Sequence, residues 1–380
     1  MTCVAGLIFV VWVLALTLTL YGTILTLRGL KAGPPHLDAP FALYPVSILK
    51  PLKGIDNGIR ENIETFFSLD YPHFELLFSI SDASDPARTL VESMMAQYPA
   101  VKARLVIGGV EAGPNPKVNN LIRSYDLARH DLVLISDSNV RVQPAYLKQL
   151  VGHLENGVGI ITAVVAGREA DTLGGRLEAT YLNTFYARWM YIAANLGNPC
   201  VVGKSMLFSR KTAARFGGIR ALAGYLAEDY MAGVAMKAIG QRVVIQSHPV
   251  HQHIGAYEVS DFWSRHLRWG RIRKAQAPLA FFIEPFFGAL VSGVLGAIAC
   301  STLWHIPPSQ FALFHFGVWS LCDLALMRAL DGSLRSWMPS AWLVRELLAV
   351  PLWAHTAVGN TVLWRGKRLA IQRGGLLKTH

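Results

Sequence analysis

The sequence predicts an α/β domain with a mainly parallel sheet, carried between helices that enter a membrane. Three observations predict it. Of 380 residues, 52% are hydrophobic and only 16% charged, which is too apolar for an ordinary soluble chain. The apolar residues are concentrated at both ends, while the middle alternates short apolar runs with helix-like stretches. Two of those short runs stop at an aspartate, as strands do when their carboxyl ends line a ligand site.

Residues 4–27, "VAGLIFVVWVLALTLTLYGTILTL", carry no charge over more than the ~20 residues a spanning helix needs. The run lacks the basic start and the short core of a signal peptide. Arg28 and Lys31 follow it and nothing basic precedes it, so the positive-inside rule puts the amino terminus outside and the chain from residue 31 in the cytosol. Residues 1–30 are therefore read as the anchor and 31–44 as a linker.

Residues 45–275 carry the α/β pattern. Apolar runs at 46–49, 74–81, 101–107 and 132–136 alternate with helix-like stretches at 58–69, 87–97 and 118–128, the spacing of βα units. The runs ending in acids are "LLFSISD", closing on Asp82, and "LVLISD", closing on Asp137. No G-x-G-x-x-G follows the first strand and no Walker lysine loop is present, so any phosphate is held by other means. Asp137 and Asn139, two apart, can aim two oxygens one way, which suits Mg²⁺ or Mn²⁺. Farther on come Glu228–Asp229 and then "RHLRWGRIRK", in which Arg265, Arg268 and Trp269 share one helical face. Lys117 stands at a helix start, where a cation opposes the helix dipole and therefore hints at an anionic ligand. His248, His251 and His253 of "SHPVHQH" read as structural or acceptor-lining residues rather than a metal set.

Residues 276–380 are again membrane-like. Residues 286–304 and 312–330 form an apolar hairpin that returns Arg328 and Arg335 to the inside. Residues 342–364 include Arg345, Glu346 and Pro351 and lead into the basic "RGKRLAIQRGG". An interfacial or re-entrant helix fits better there than a third span, and the spanning alternative stays open. Cys3, Cys200, Cys300 and Cys322 have neither metal-ligand nor disulfide spacing. The formal charge of +11 comes without a nucleic-acid motif, and no nucleic-acid partner is expected.

From Val46 to Trp269 the blocks "VSILKPLKG", "ETFFSLDYP", "NPKVNNL", "DSNVRV", "GYLAEDY" and "RHLRW" resemble, in order, the ceramide glucosyltransferase family of membrane-bound GT-A enzymes. The resemblance implies a Rossmann-like GT-A domain and an inverting transfer of glucose from UDP-glucose to the primary hydroxyl of ceramide, with a divalent metal. It implies Asp82 near the nucleotide, Asp137 near the metal and diphosphate, Asp229 at the acceptor, and Arg265, Arg268 and Trp269 as an R-x-x-R-W signature. Lys117 and Asn120 of "NPKVNNL" are expected beside the donor, and Asn139 as the second metal oxygen. Asn139 stands where a D-x-D-like pair has its second acid, so the carboxylate there is single. Another lipid acceptor, such as a hopanoid or diacylglycerol, stays open, as do the sugar, Mg²⁺ against Mn²⁺, and the oligomeric state. A processive synthase needs a larger membrane channel, and a non-catalytic binder leaves the strand-end carboxylates unexplained.

Overall fold

A computed structural model describes residues 2–33, 44–364 and 367–379. The expected linker lies outside them except at 31–33 and 44, as do the first two residues of the basic run after Trp364. The uncharged amino-terminal run forms one helix, α1 (Thr2–Gly29), with Arg28 in its last turn.

The α/β region follows the anticipated alternation: β1 (Val46–Pro51), α2 (Ile59–Phe67), β2 (Phe74–Ile80), α3 (Ala87–Gln97), β3 (Ala103–Ile107), α4 (Pro116–Leu127), β4 (Leu132–Ile135) and β5 (Val140–Arg141). Alternate residues of a strand face opposite sides. Ile48 and Phe78 accordingly enter a core with Phe66 of α2, while Leu49, Leu77 and Val133 enter a second core with Leu121 and Ile122 of α4. The chain continues through α5 (Tyr146–Val151), β6 (Val158–Ala170), α6 (Leu173–Tyr181), a π-turn (Leu182–Tyr186), α7 (Ala187–Asn195), β7 (Met206–Ser209), α8 (Arg210–Ala214), α9 (Glu228–Ala238), β8 (Arg242–Gly255) and α10 (Val259–Gln276).

The sheet order is β3-β2-β1-β4-β7-β6-β8-β5. Pairings β3/β2, β2/β1, β1/β4 and β6/β8 are parallel, while β7 runs antiparallel to both β4 and β6, and β5 antiparallel to β8. Parallel β2, β1 and β4 end at one edge. Asp82 and Asp137 therefore leave the sheet on the same side.

Beyond α10 come α11 (Pro278–Ile283), α12 (Ala289–Trp304), α13 (Pro308–Asp331) and α14 (Met338–Ala357). α1 and α13 are long and apolar enough to cross a membrane, and Pro278–Phe287 meets α12 at 62°, a bent pair that together has that capacity. Gly22 lets α1 lie against α7, since a Cβ there would stand 2.6 Å from side-chain carbons of Arg188 and Ile192. The apolar run expected at 342–364 is not one helix. α14 ends at Ala357 and β9 (Thr361–Trp364) begins a three-stranded antiparallel sheet with β10 (Lys367–Ile371) and β11 (Leu377–Thr379). Residues 367–375 of the basic run are thus folded back into a sheet. Leu377 donates its N–H to Gly224 O at 2.9 Å, just upstream of α9.

Candidate active site

At the carboxyl edge of β1 and β4, three lysines converge on Asp137. Asn115 caps α4, its side-chain oxygen accepting from Lys117 N at 2.9 Å and Val118 N at 3.1 Å. Pro116 takes the first helical position, where its missing N–H loses nothing. This fixes Lys117, whose ammonium bridges Asp137 Oδ1 at 2.7 Å and Glu228 Oε1 at 2.8 Å. The cation that a helix start disfavours is therefore held by two carboxylates. Burial lowers Lys117, but Asp137, Glu228 and Asp229 outweigh it and keep the ammonium charged.

Lys204, in the turn before β7, reaches Asn139 Oδ1 at 2.5 Å and Asp137 Oδ2 at 3.9 Å. Lys50, fully buried at the end of β1, donates to the Asp137 carbonyl at 2.7 Å and Ser136 Oγ at 3.3 Å, with Phe66 beneath it at 3.6 Å. Burial pushes Asp137 upward, yet Lys117, Lys204 and Lys50 together hold it below the ordinary carboxylate value. Burial brings Lys204 down to about 7, against the pull of Asp137 and helped by Arg265 and Lys117.

α9 opens on the acidic pair, whose members point to different partners. Glu228 accepts from Asn115 Nδ2 at 3.1 Å in addition to pairing with Lys117. Asp229 accepts from Gly203 N at 2.7 Å and Tyr230 N at 2.8 Å. Gly203 permits this approach, because a Cβ there would sit 2.8 Å from Lys117 Nζ and 3.1 Å from Asp229 Oδ2. Burial and the Glu228 charge raise Asp229 to about 6 despite Lys117 and the two N–H donors.

Arg265 pairs with Glu178 Oε1 at 3.0 Å and lies 4.5 Å over the Trp269 ring, while His266 Nε2 meets Glu178 Oε2 at 2.7 Å. Burial would raise the fully buried Glu178, but Arg265 and His266 bring it to about 2. Asp137 is near enough to stabilise the Arg265 charge, so this group and the lysine cluster share one field. On its other side, His266 and Tyr181 line a cleft that continues between the membrane helices past Leu18, Trp189, Phe287 and Leu352.

Asp137, Asn139, Lys117, Asp229 and Arg265 are thus gathered at one edge. Arg268 and Trp269 lie half-buried on α10, Trp269 stacking on Tyr186 with centroids 5.8 Å apart. Asp82 is exposed beyond β2 and accepts from Ser84 N and Oγ at 2.8 Å. Asn120 is turned inward, its amide donating to Leu52 O at 3.2 Å and Ser79 O at 3.0 Å and so tying the ends of β1 and β2. His253 meets Glu169 at 2.5 Å, and among the described residues no group of three or more His, Cys, Asp or Glu could hold a metal. Sequence reading did not single out Lys50, Lys204, Asn115 or Glu178. Lys50 left a signal, a lysine inside an apolar strand. The others left none.

Fold and cluster together define a class, a membrane-associated glycosyltransferase with a GT-A domain. The fold is shared with a mannosyltransferase from Pyrobaculum calidifontis solved with GDP-Man and Mn²⁺, at 17% identity and a TM-score of 0.53 over 90% of this chain and 97% of that one. The chain belongs to glycosyl transferase family 21, whose pattern spans residues 7–377. Ceramide glucosyltransferase 3 of Caenorhabditis elegans is 31% identical over 88% of this chain and 74% of that protein. Ceramide glucosyltransferase of Komagataella phaffii is 26% identical over 96% and 90%.

Proposed function

We propose that the chain transfers glucose from UDP-glucose to the primary hydroxyl of ceramide, with inversion, on the cytosolic side of a membrane. One observation carries this reading: Asp137, Lys117 and Asp229 share a field with Arg265, whose partner Glu178 also binds His266 in the wall of a cleft among the membrane helices. In this arrangement a water-soluble donor would approach the sheet edge, and an amphiphile would approach from the cleft. The names of the relatives supply glucose and ceramide. Arg28 and Lys31 at the inner end of α1 support the orientation.

A hard divalent cation suits the pair Asp137 and Asn139. Their side-chain oxygens already converge on one cation, the Lys204 ammonium, and such ions accept few protein oxygens when a diphosphate supplies more. When bound there it would neutralise charge on the leaving diphosphate. Lys117 adds a fixed positive charge at the same place. Asp82, exposed at the neighbouring strand end, is assigned to the nucleotide, and Arg265 and Arg268 to the diphosphate side. The acceptor hydroxyl oxygen bonds to the anomeric carbon as that carbon's bond to the diphosphate oxygen breaks. UDP leaves with the electron pair, and Asp229 takes the hydroxyl proton. An acidity near 6 keeps Asp229 mostly ionised at neutral pH and still able to hold a proton.

Mass spectrometry of products from purified protein, offered a panel of UDP-sugars with a mixed lipid extract, tests the reading. Glucosylceramide is the expected product, and a hexosylated hopanoid or diacylglycerol would reassign the acceptor. Chelation is expected to abolish transfer, since Asp137 without its cation repels a diphosphate. Full activity with no bound metal would remove the metal.

A further inference from the structure

We propose that Lys204 is a donor-binding residue that changes partner. Its ammonium holds the Asp137 and Asn139 oxygens together until a divalent cation takes them, and it then turns to the diphosphate of the nucleotide sugar. The proposal rests on the placement of the cation at Asp137 and Asn139 argued above.

The three lysines around Asp137 differ in what they keep. Lys50 is held by the Asp137 carbonyl and Ser136 Oγ, at 2.7 and 3.3 Å, and neither contact involves the carboxylate. Lys117 has a second carboxylate, Glu228, at 2.8 Å. Lys204 is held by Asn139 Oδ1 at 2.5 Å and Asp137 Oδ2 at 3.9 Å, the same two residues assigned to the cation. A divalent ion of this kind sits ~2.0–2.2 Å from its oxygens and leaves no room for an ammonium on the same lone pairs. Binding of the cation therefore strips Lys204 of both contacts and leaves the other two lysines theirs.

Lys204, its side chain 8% exposed, has then lost both contacts, and it keeps its proton most readily where a new anion meets it. The anion that arrives with the cation is the diphosphate. A four-carbon stem with freely turning donors can follow it, which a planar guanidinium in a fixed fork would do less readily. Its neighbour Gly203 donates to Asp229, so the turn bearing Lys204 lies between the assigned cation position and the assigned base.

The test uses the full-length protein in detergent, with Mn²⁺ as the cation and UDP as the diphosphate. Free Mn²⁺ is followed by electron paramagnetic resonance without nucleotide, and UDP binding by calorimetry at saturating Mn²⁺, for the native chain, K204M, K204Q, K204R and D137N. Either neutral variant is expected to bind Mn²⁺ about tenfold more tightly, having lost a competitor, and UDP about tenfold more weakly, having lost a charged donor. K204R, which keeps the charge, should depart less from the native chain on UDP. A folded neutral variant with unchanged UDP affinity, or with Mn²⁺ binding no tighter than native, overturns the partner change. Should D137N bind Mn²⁺ as the native chain does, the cation placement itself fails, independently of Lys204.

Discussion

The charge networks around Asp323 and around Asp137 differ in the cations that touch the central aspartate. In the membrane region, Asp323 of α13 pairs with Arg188 of α7 and with Arg345 of α14 at 3.3 Å, and accepts from Trp342 Nε1 at 2.7 Å. Arg188 also donates to Thr23 of α1 at 3.2 Å, and Glu346, paired with Arg345, accepts from Ala289 N of α12 at 3.1 Å. Asp323 has no exposed surface, and both its oxygens are taken by other helices. At the sheet edge the cations that touch Asp137 are lysines, Asp137 keeps 29% of its side chain exposed, and Lys204 and Asp229 are pushed to about 7 and about 6. Rigid forks close a network, whereas flexible ammoniums leave one that a ligand can enter. The first cluster binds α1, α7, α12, α13 and α14 together. The second is poised for charge to arrive.

The comparison is broken most severely at Asp323. Replacing it by alanine leaves two arginines buried without their acid, and we expect a loss of ~3–5 kcal/mol of stability, read as a large fall in melting temperature in detergent. A melting temperature near native would mean that the network does not hold the helices. Asp137→Ala should do the reverse, removing transfer while melting changes less, because Lys117 keeps Glu228, Lys50 keeps the backbone carbonyl of residue 137 and Ser136, and Lys204 keeps Asn139. Equal loss of folding in both variants would erase the distinction.

pH sharpens it further. Asp229 is raised, so its proton-accepting form is lost as pH falls through about 6, and transfer should drop about tenfold per unit below that value with the protein still folded. A flat profile between pH 7 and 5 would take the ionised Asp229 out of the reaction. The smallest expected effect is at exposed Asp82: Asp82→Asn should weaken UDP-glucose binding by about tenfold or less and leave turnover at saturating donor nearly unchanged. A fall in turnover alone would move Asp82 away from the nucleotide.

What the sequence disclosed follows from how local each signal is. Asp137 is legible because a carboxylate closing an apolar run is unusual wherever the run packs, and Lys117 because a cation at a helix start contradicts the dipole. The α/β alternation and α1 are equally local. Lys50 and Lys204 are different. Each meets the Asp137 region only because β1 and β7 flank β4, and pairings between residues 132–135 and 206–209 are written in no short stretch. Glu178 gains its meaning from α10, nearly ninety positions away, through Arg265 and His266. The carboxyl-terminal sheet left no local sign, since β9 continues the largely apolar run of α14, and strands β9 and β10 declare themselves only by pairing and by Leu377 meeting Gly224.

Asp229 is assigned as the base at the lysine-rich edge, and Asp229→Asn tests that role. The substitution keeps shape and removes the carboxylate, so turnover to lipid product under saturating UDP-glucose should fall by ~10²–10⁴ while donor affinity, titrated separately, stays at the native value. Turnover near the native rate would contradict the account and pass the role to Glu228 or to the histidines of β8.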